Sequence, residues 1–202
     1  MKIVVIGGSI VNGFPVRSKD SFVSLWSAAS DHEIINKGVN GSTAEDILNR
    51  FYDDVIAEKP DCAMLVFGTK DIVTKDGDVD YVFGKLMEMV DRCKKNNIRP
   101  VVAVPLLVDE LIACESMNED LGFEANTCID FQEGNVKMRA YRQKILDAAA
   151  KDGFLVVDLQ GEFEKATAGK DTSQFYADGL KLNAKGHKIL FNIVKDSGLC
   201  SN

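Results

Sequence analysis

The chain has 202 residues, 46% hydrophobic and 27% charged, with four Pro and 16 Gly. This is enough for one well-filled core and short for two, and it excludes disordered and collagen-like classes. The formal charge of -7, from 31 acidic against 24 basic side chains, repels a phosphate backbone, so nucleic acid is not an expected partner. No apolar run approaches the roughly 20 residues of a membrane-spanning helix.

The amino-terminal Ile3-Val4-Val5-Ile6 is cut short by Gly7-Gly8-Ser9. It is too brief for the apolar region of a signal peptide and reads as a first strand. Further short runs follow at Glu33 to Ile35, Cys62 to Phe67, Pro100 to Val104 and Phe154 to Val157. They are rich in β-branched residues without clean alternation, as strands buried on both faces are. Helical patterns lie between them at about Asp20 to Ala29, Thr43 to Glu58, Val79 to Asn96 and Asp130 to Lys151, with a last helix from about Asn183 to Asp196. Thr43 is a good N-cap with Glu45 and Asp46 behind it, and Phe83, Leu86, Met87 and Val90 keep a helical stripe.

Strands alternating with helices imply right-handed crossovers and a three-layer α/β/α sandwich. The expectation is one domain over 1–202, with a flavodoxin-like, five-stranded parallel sheet in the order 2-1-3-4-5. The stretch 106–129 breaks the rhythm, mixing Leu106, Leu107, Leu111, Ile112 and Phe123 with acids. Leaving the carboxyl end of the fourth strand, it reads as a lid or wall over a ligand pocket, or equally as a surface excursion.

Cys62, Cys93, Cys114, Cys128 and Cys200 are odd in number and contain no C-x-x-C pair, and the chain has two His. Neither a disulfide framework nor a zinc site follows, no cofactor is implied, and the thiols point to the cytoplasm.

Three strand-end loops carry small polar groups and glycines: Gly7-Gly8-Ser9-Ile10-Val11-Asn12-Gly13, Asn36-Lys37-Gly38-Val39-Asn40-Gly41-Ser42-Thr43 and Gly68-Thr69-Lys70-Asp71. A fourth segment, Asp178-Gly179-Leu180-Lys181-Leu182-Asn183-Ala184-Lys185-Gly186-His187, turns into the last helix. With strands one and three adjacent, all four meet at the topological switch point. On spacing alone, Ser9 reads as a helix cap or as part of a Gly-rich phosphate loop.

These four blocks, in this order, resemble the SGNH or GDSL-type acylhydrolase family over nearly the whole chain. The family reads G-D-S at the first block, has an oxyanion-hole Gly at the second, G-x-N-D at the third and D-x-x-H at the last. The resemblance puts Ser9 on the nucleophile, Gly38 on the oxyanion glycine and Asp178 on the catalytic acid, with Gly186-His187 matching a common G-H pair. It also exposes departures: Gly8 stands where the family has Asp, Lys70 where it has the oxyanion Asn, and Lys181 where it has the catalytic His. The chain is then a pseudoenzyme, a scaffold with altered chemistry or an engineered variant.

His187 falls within the last helix and His32 at the far sheet edge, so neither replaces the missing base. A Ser9-Lys181 dyad needs a depressed lysine, which Lys70 would promote and Asp178 oppose. The resemblance implies hydrolysis of small acyl or carbohydrate esters through Ser9, impaired or altered by Lys70 and Lys181. Two rivals stand beside it: a non-catalytic pocket in which the lysines hold an anionic ligand, and amine catalysis through a Schiff base.

Overall fold

The five apolar runs build one all-parallel sheet from β1 (Lys2–Gly7), β2 (Glu33–Gly38), β3 (Cys62–Val66), β4 (Arg99–Ala103) and β5 (Leu155–Val157), in the order β2-β1-β3-β4-β5. The computed structural model describes residues 1–73, 77–116 and 130–199 in full and 117–120 by backbone alone. Alternate residues of each strand feed two separate cores. Ile3, Val5 and Met64 pack with Val11, Phe22, Trp26, Phe163 and Leu190 on one face. Val4, Ile6 and Leu65 pack with Ile47, Phe51, Leu86, Met138 and Ile145 on the other. Complete burial of such side chains stabilises the fold by about 1.5–3 kcal/mol each.

One outer layer holds α1 (Ser9–Asn12), α2 (Phe22–Ala28), α8 (Leu159–Thr167) and α9 (Ala184–Asp196); the other holds α3 (Ala44–Asn49), α5 (Val79–Lys95) and α7 (Phe131–Asp152). The two remaining helices, α4 (Thr69–Ile72) and α6 (Glu110–Asp120), follow β3 and β4. Thr43 caps α3 in a reciprocal capping box with Asp46. The single helix expected over Thr43 to Glu58 is interrupted: after Asn49 the chain widens into a π-type turn at Tyr52–Ile56, where the Ala57 N–H reaches the Tyr52 carbonyl at 2.8 Å. Within 106–129, α6 occupies what reads as an irregular excursion, and 121–129 lies outside the described residues. Cys62 and Cys93 are buried, burial pushes the Cys93 thiol up to about 12, and Cys114 is exposed; Cys128 and Cys200 lie outside the described residues.

His187 in α9 is fully buried. Its Nδ1 accepts the Phe22 N–H at 3.3 Å and its ring stacks on Phe22, centroids 6.2 Å apart. The proton therefore sits on Nε2, which has no partner among the described residues. Burial lowers this imidazole to about 4. The unfolded chain binds a proton here that the folded chain refuses between about pH 4 and 6.5. The contribution is therefore complete above that window and falls by about 3 kcal/mol as pH drops through it. His187→Gln keeps an acceptor for Phe22 without titrating. Urea unfolding across that pH range is expected to show a flatter loss of stability in this variant than in the parent; equal slopes refute the assignment.

Candidate functional site

The cleft begins where three strands end against one another's main chain. A Cβ on Gly7 would lie 2.1 Å from the Val66 carbonyl oxygen, and one on Gly38 would lie 2.2 Å from the Asn12 nitrogen. With no side chain in the way, β2 packs directly on the turn of helix that starts at Ser9. Amide side chains lock the contact: Asn36 donates to the Val11 carbonyl at 2.8 Å and accepts from the Gly38 N–H at 2.8 Å, while Asn12 donates to the Gly38 carbonyl at 3.2 Å. Arg50 donates to the Gly7 and Lys37 carbonyls at 3.1 and 2.9 Å and pairs with Asp54. Ser9 is thus held by main-chain packing and by charged donors to the strand ends.

Ser9 is half-buried on the wall of a cleft of about 260 Å³, which all five strand ends help to form. Gly8, Ser9 and Ile10 follow β1, Asn40 to Ser42 follow β2, and Phe67 to Lys70 follow β3. Pro105 and Leu106 follow β4, Leu159 follows β5, and Leu180 and Lys181 come from the turn before α9.

Across the cleft, the Lys70 ammonium donates to the Gly41 carbonyl. Its neighbour Asp71 accepts the Ala44 N–H at 3.0 and 3.2 Å, which ties the β3 loop to the start of α3. Burial holds the Asp71 carboxyl above its ordinary range, against the opposing pull of that N–H. Tyr141 of α7 lies under Gly68, its phenol pushed up by burial and then by Asp71.

The final turn is organised by Asp178. One carboxylate oxygen accepts the N–H groups of Leu180 and Lys181 at 3.0 and 2.7 Å, and the other pairs with the Lys181 ammonium. The same ammonium lies 5.7 Å from the centre of the Phe14 ring. Gly179, at φ 81°, is pressed so closely on α6 that a Cβ would lie 2.4 Å from the Ala113 nitrogen. The Asp109 N–H donates to the Gly179 carbonyl at 2.8 Å.

Of the residues singled out in the sequence, Ser9, Lys70 and Lys181 therefore share the cleft, and Asp178 reaches it through Lys181. Gly38 is at the same edge but is not among the lining residues; Gly41 of the same loop is. The fourth block's His187 is in the core, and His32 sits beside the terminal amine of Met1, 3.3 Å away. The glycine-rich spelling of the second block marks both Gly38 and Gly41, and only three-dimensional packing separates a close-approach glycine from one facing the cavity. Leu106, Leu159 and Leu180 on the apolar wall carry no signal that distinguishes them from core leucines.

This architecture is that of an α/β protein with a cleft at the carboxyl edge of a parallel sheet, walled in part by a serine and two lysines. The GDSL-like Lipase/Acylhydrolase family profile matches residues 5–189, and the chain belongs to that family. Among solved structures, a member of the lipolytic protein G-D-S-L family from Veillonella parvula superposes with a TM-score of 0.79 at 17% identity, over 97% of each chain. An α/β hydrolase from the metagenome of Lake Arreo gives 0.77 at 22% identity, over 100% of this chain and 96% of that one. An acetylxylan esterase from Geobacillus stearothermophilus gives 0.74 at 20%, over 97% and 93%. At these identities the likeness establishes the fold. An acetylxylan esterase of the same organism is also 41% identical over 39 residues, which is 19% of this chain and 18% of the esterase.

Gly38→Ala is expected to separate β2 from α1. Overpacking of this kind costs about 1–3 kcal/mol. Chemical unfolding should register that loss; parental stability would mean that the close contact with Asn12 relaxes without effect.

Proposed function

We propose that the protein is an ester-hydrolase homologue whose cleft receives small acyl or carbohydrate esters, with Ser9 in the nucleophile position and turnover strongly attenuated by Lys70 and Lys181. Ester chemistry of this kind needs a hydroxyl, a base that takes its proton, and donors aimed at the developing oxyanion. The hydroxyl is available: Ser9 is half-buried on the cleft wall and, among the described residues, makes no hydrogen bond through its side chain. Among the described residues that line the cleft there is no histidine to serve as base.

The observation that carries the reading is the Lys181–Asp178 ion pair inside a cleft that also holds Ser9. An ammonium has three donors and no lone pair, so in this state it cannot receive the serine proton. Asp178 holds a group in the place where the family resemblance puts a catalytic histidine, but the group it holds is the wrong kind. Lys70 is likewise a donor, but a long flexible one, engaged with the Gly41 carbonyl instead of being fixed toward an oxyanion. Hydrolases that lose a triad member retain about 10³ to 10⁴ over water from the oxyanion hole and binding. The acetylxylan esterase neighbour lends weight to acyl groups on carbohydrate as one substrate class. Amine catalysis needs a lysine nitrogen with a free lone pair, and the ion pair with Asp178 argues against it.

Restoration tests the proposal. Lys181→His with Lys70→Asn supplies a base beside Asp178 and a neutral oxyanion donor, the latter worth about 10² to 10³ in rate. The double variant is expected to hydrolyse an activated acetate ester far faster than the parent, and adding Ser9→Ala should abolish the gain. Lys70→Asn alone should do almost nothing, because an unactivated serine profits little from a better oxyanion hole. If the parent already matches the double variant, Lys181 is itself the base and the reading fails.

A further inference from the structure

The two ammonium groups of the cleft are not equivalent. Lys181 is neutralised by Asp178, whereas Lys70 forms no salt bridge among the described residues and donates to a neutral carbonyl, that of Gly41. Two carboxylates, Asp71 and Asp46, attract Lys70 without pairing with it directly, and both also accept hydrogen bonds elsewhere. Asp71 accepts the Ala44 N–H, and Asp46 accepts the Thr43 N–H and hydroxyl, both at 2.8 Å. The Lys70 side chain therefore lines a cavity together with the apolar Val66, Val73, Pro105, Leu106, Leu159 and Leu180.

A neutral ester placed there satisfies the apolar side chains and leaves the cation without a directly paired anion. We infer that the preferred ligand of this cleft is an amphipathic monoanion, a carboxylate with a short aliphatic tail, its head on Lys70 and its tail on the apolar wall. A charge-assisted bond to a carboxylate is about twice as strong as one to a neutral carbonyl, so the ligand displaces Gly41 from Lys70. Lys181 can join without stranding its partner, because Asp178 keeps two backbone N–H donors when the ammonium turns away. A dianion such as phosphate fits less well, since it has no tail for the apolar wall and its second charge meets Asp178. The inference rests on the reading that the cleft receives an acyl chain, and it adds that the chain arrives as the free acid anion.

Calorimetric titration of the intact protein at neutral pH with hexanoate, hexanamide and inorganic phosphate tests this. Hexanoate is expected to bind at least tenfold more tightly than either of the others. Lys70→Met, a substitution at an exposed position whose folding circular dichroism would verify, should erase that preference, while Lys19→Met, remote from the cleft, should retain it. Equal affinity for hexanoate and hexanamide, tighter binding of phosphate, no binding of hexanoate at millimolar concentration, or an unchanged preference in Lys70→Met would overturn the inference. The hydrolase reading fails separately, if the Lys181→His and Lys70→Asn variant stays inert toward acetate esters while the parent binds hexanoate.

Discussion

No side chain separates the end of β2 from the backbone of α1, and the layout of the cleft depends on that contact. A Cβ on Gly38 would lie only 2.2 Å from the Asn12 nitrogen, closer than any real contact. Because glycine is there, the turn beginning at Ser9 sits directly on the sheet edge, braced by Asn36 and by the Arg50 guanidinium on the Gly7 carbonyl. From this point the remaining walls follow. β3, adjacent to β1, delivers Lys70 on its short helix, and the Asp71 carboxylate fastens that loop to α3, so the second and third loops form one unit.

The layers of the fold were legible in the sequence because burial on both faces leaves a mark that survives without tertiary information. Val4-Val5-Ile6 and Met64-Leu65-Val66 are uninterrupted apolar runs, and the crossovers between parallel strands admit few orders. What sequence reading missed were elements whose stability is not written in their own periodicity. The turns of helix at Ser9–Asn12 and Thr69–Ile72 are four residues each and exist because strand ends hold them. Helix α8 has Gly161 in its first turn, where a Cβ would collide with the Asp158 side chain, so a residue of poor helical propensity is required by the cap that starts the helix. The break after Asn49 is set by packing of Phe51 and Val55 into the core, which no propensity scale records.

At the site, the short-range pairing was legible and the contacts between distant loops were not. Lys181 and Asp178, three apart, could be expected to meet, and they do. That Lys70 would span to Gly41, and that Phe14 would lie against Lys181, depends on loops brought together from distant parts of the chain. The result is a polar floor with one cation paired to a carboxylate and one hydrogen-bonded, among the described residues, to a backbone carbonyl.

The turn that carries Lys181 is not an independent part. Gly179 lies against the first turn of α6 with no room for a methyl group, and its carbonyl is bonded to the Asp109 N–H. The start of α6 and the turn that carries Lys181 are therefore joined directly, although nearly seventy residues of chain separate them. Under the proposed function, a displacement of α6 would carry the lysine of the cleft with it.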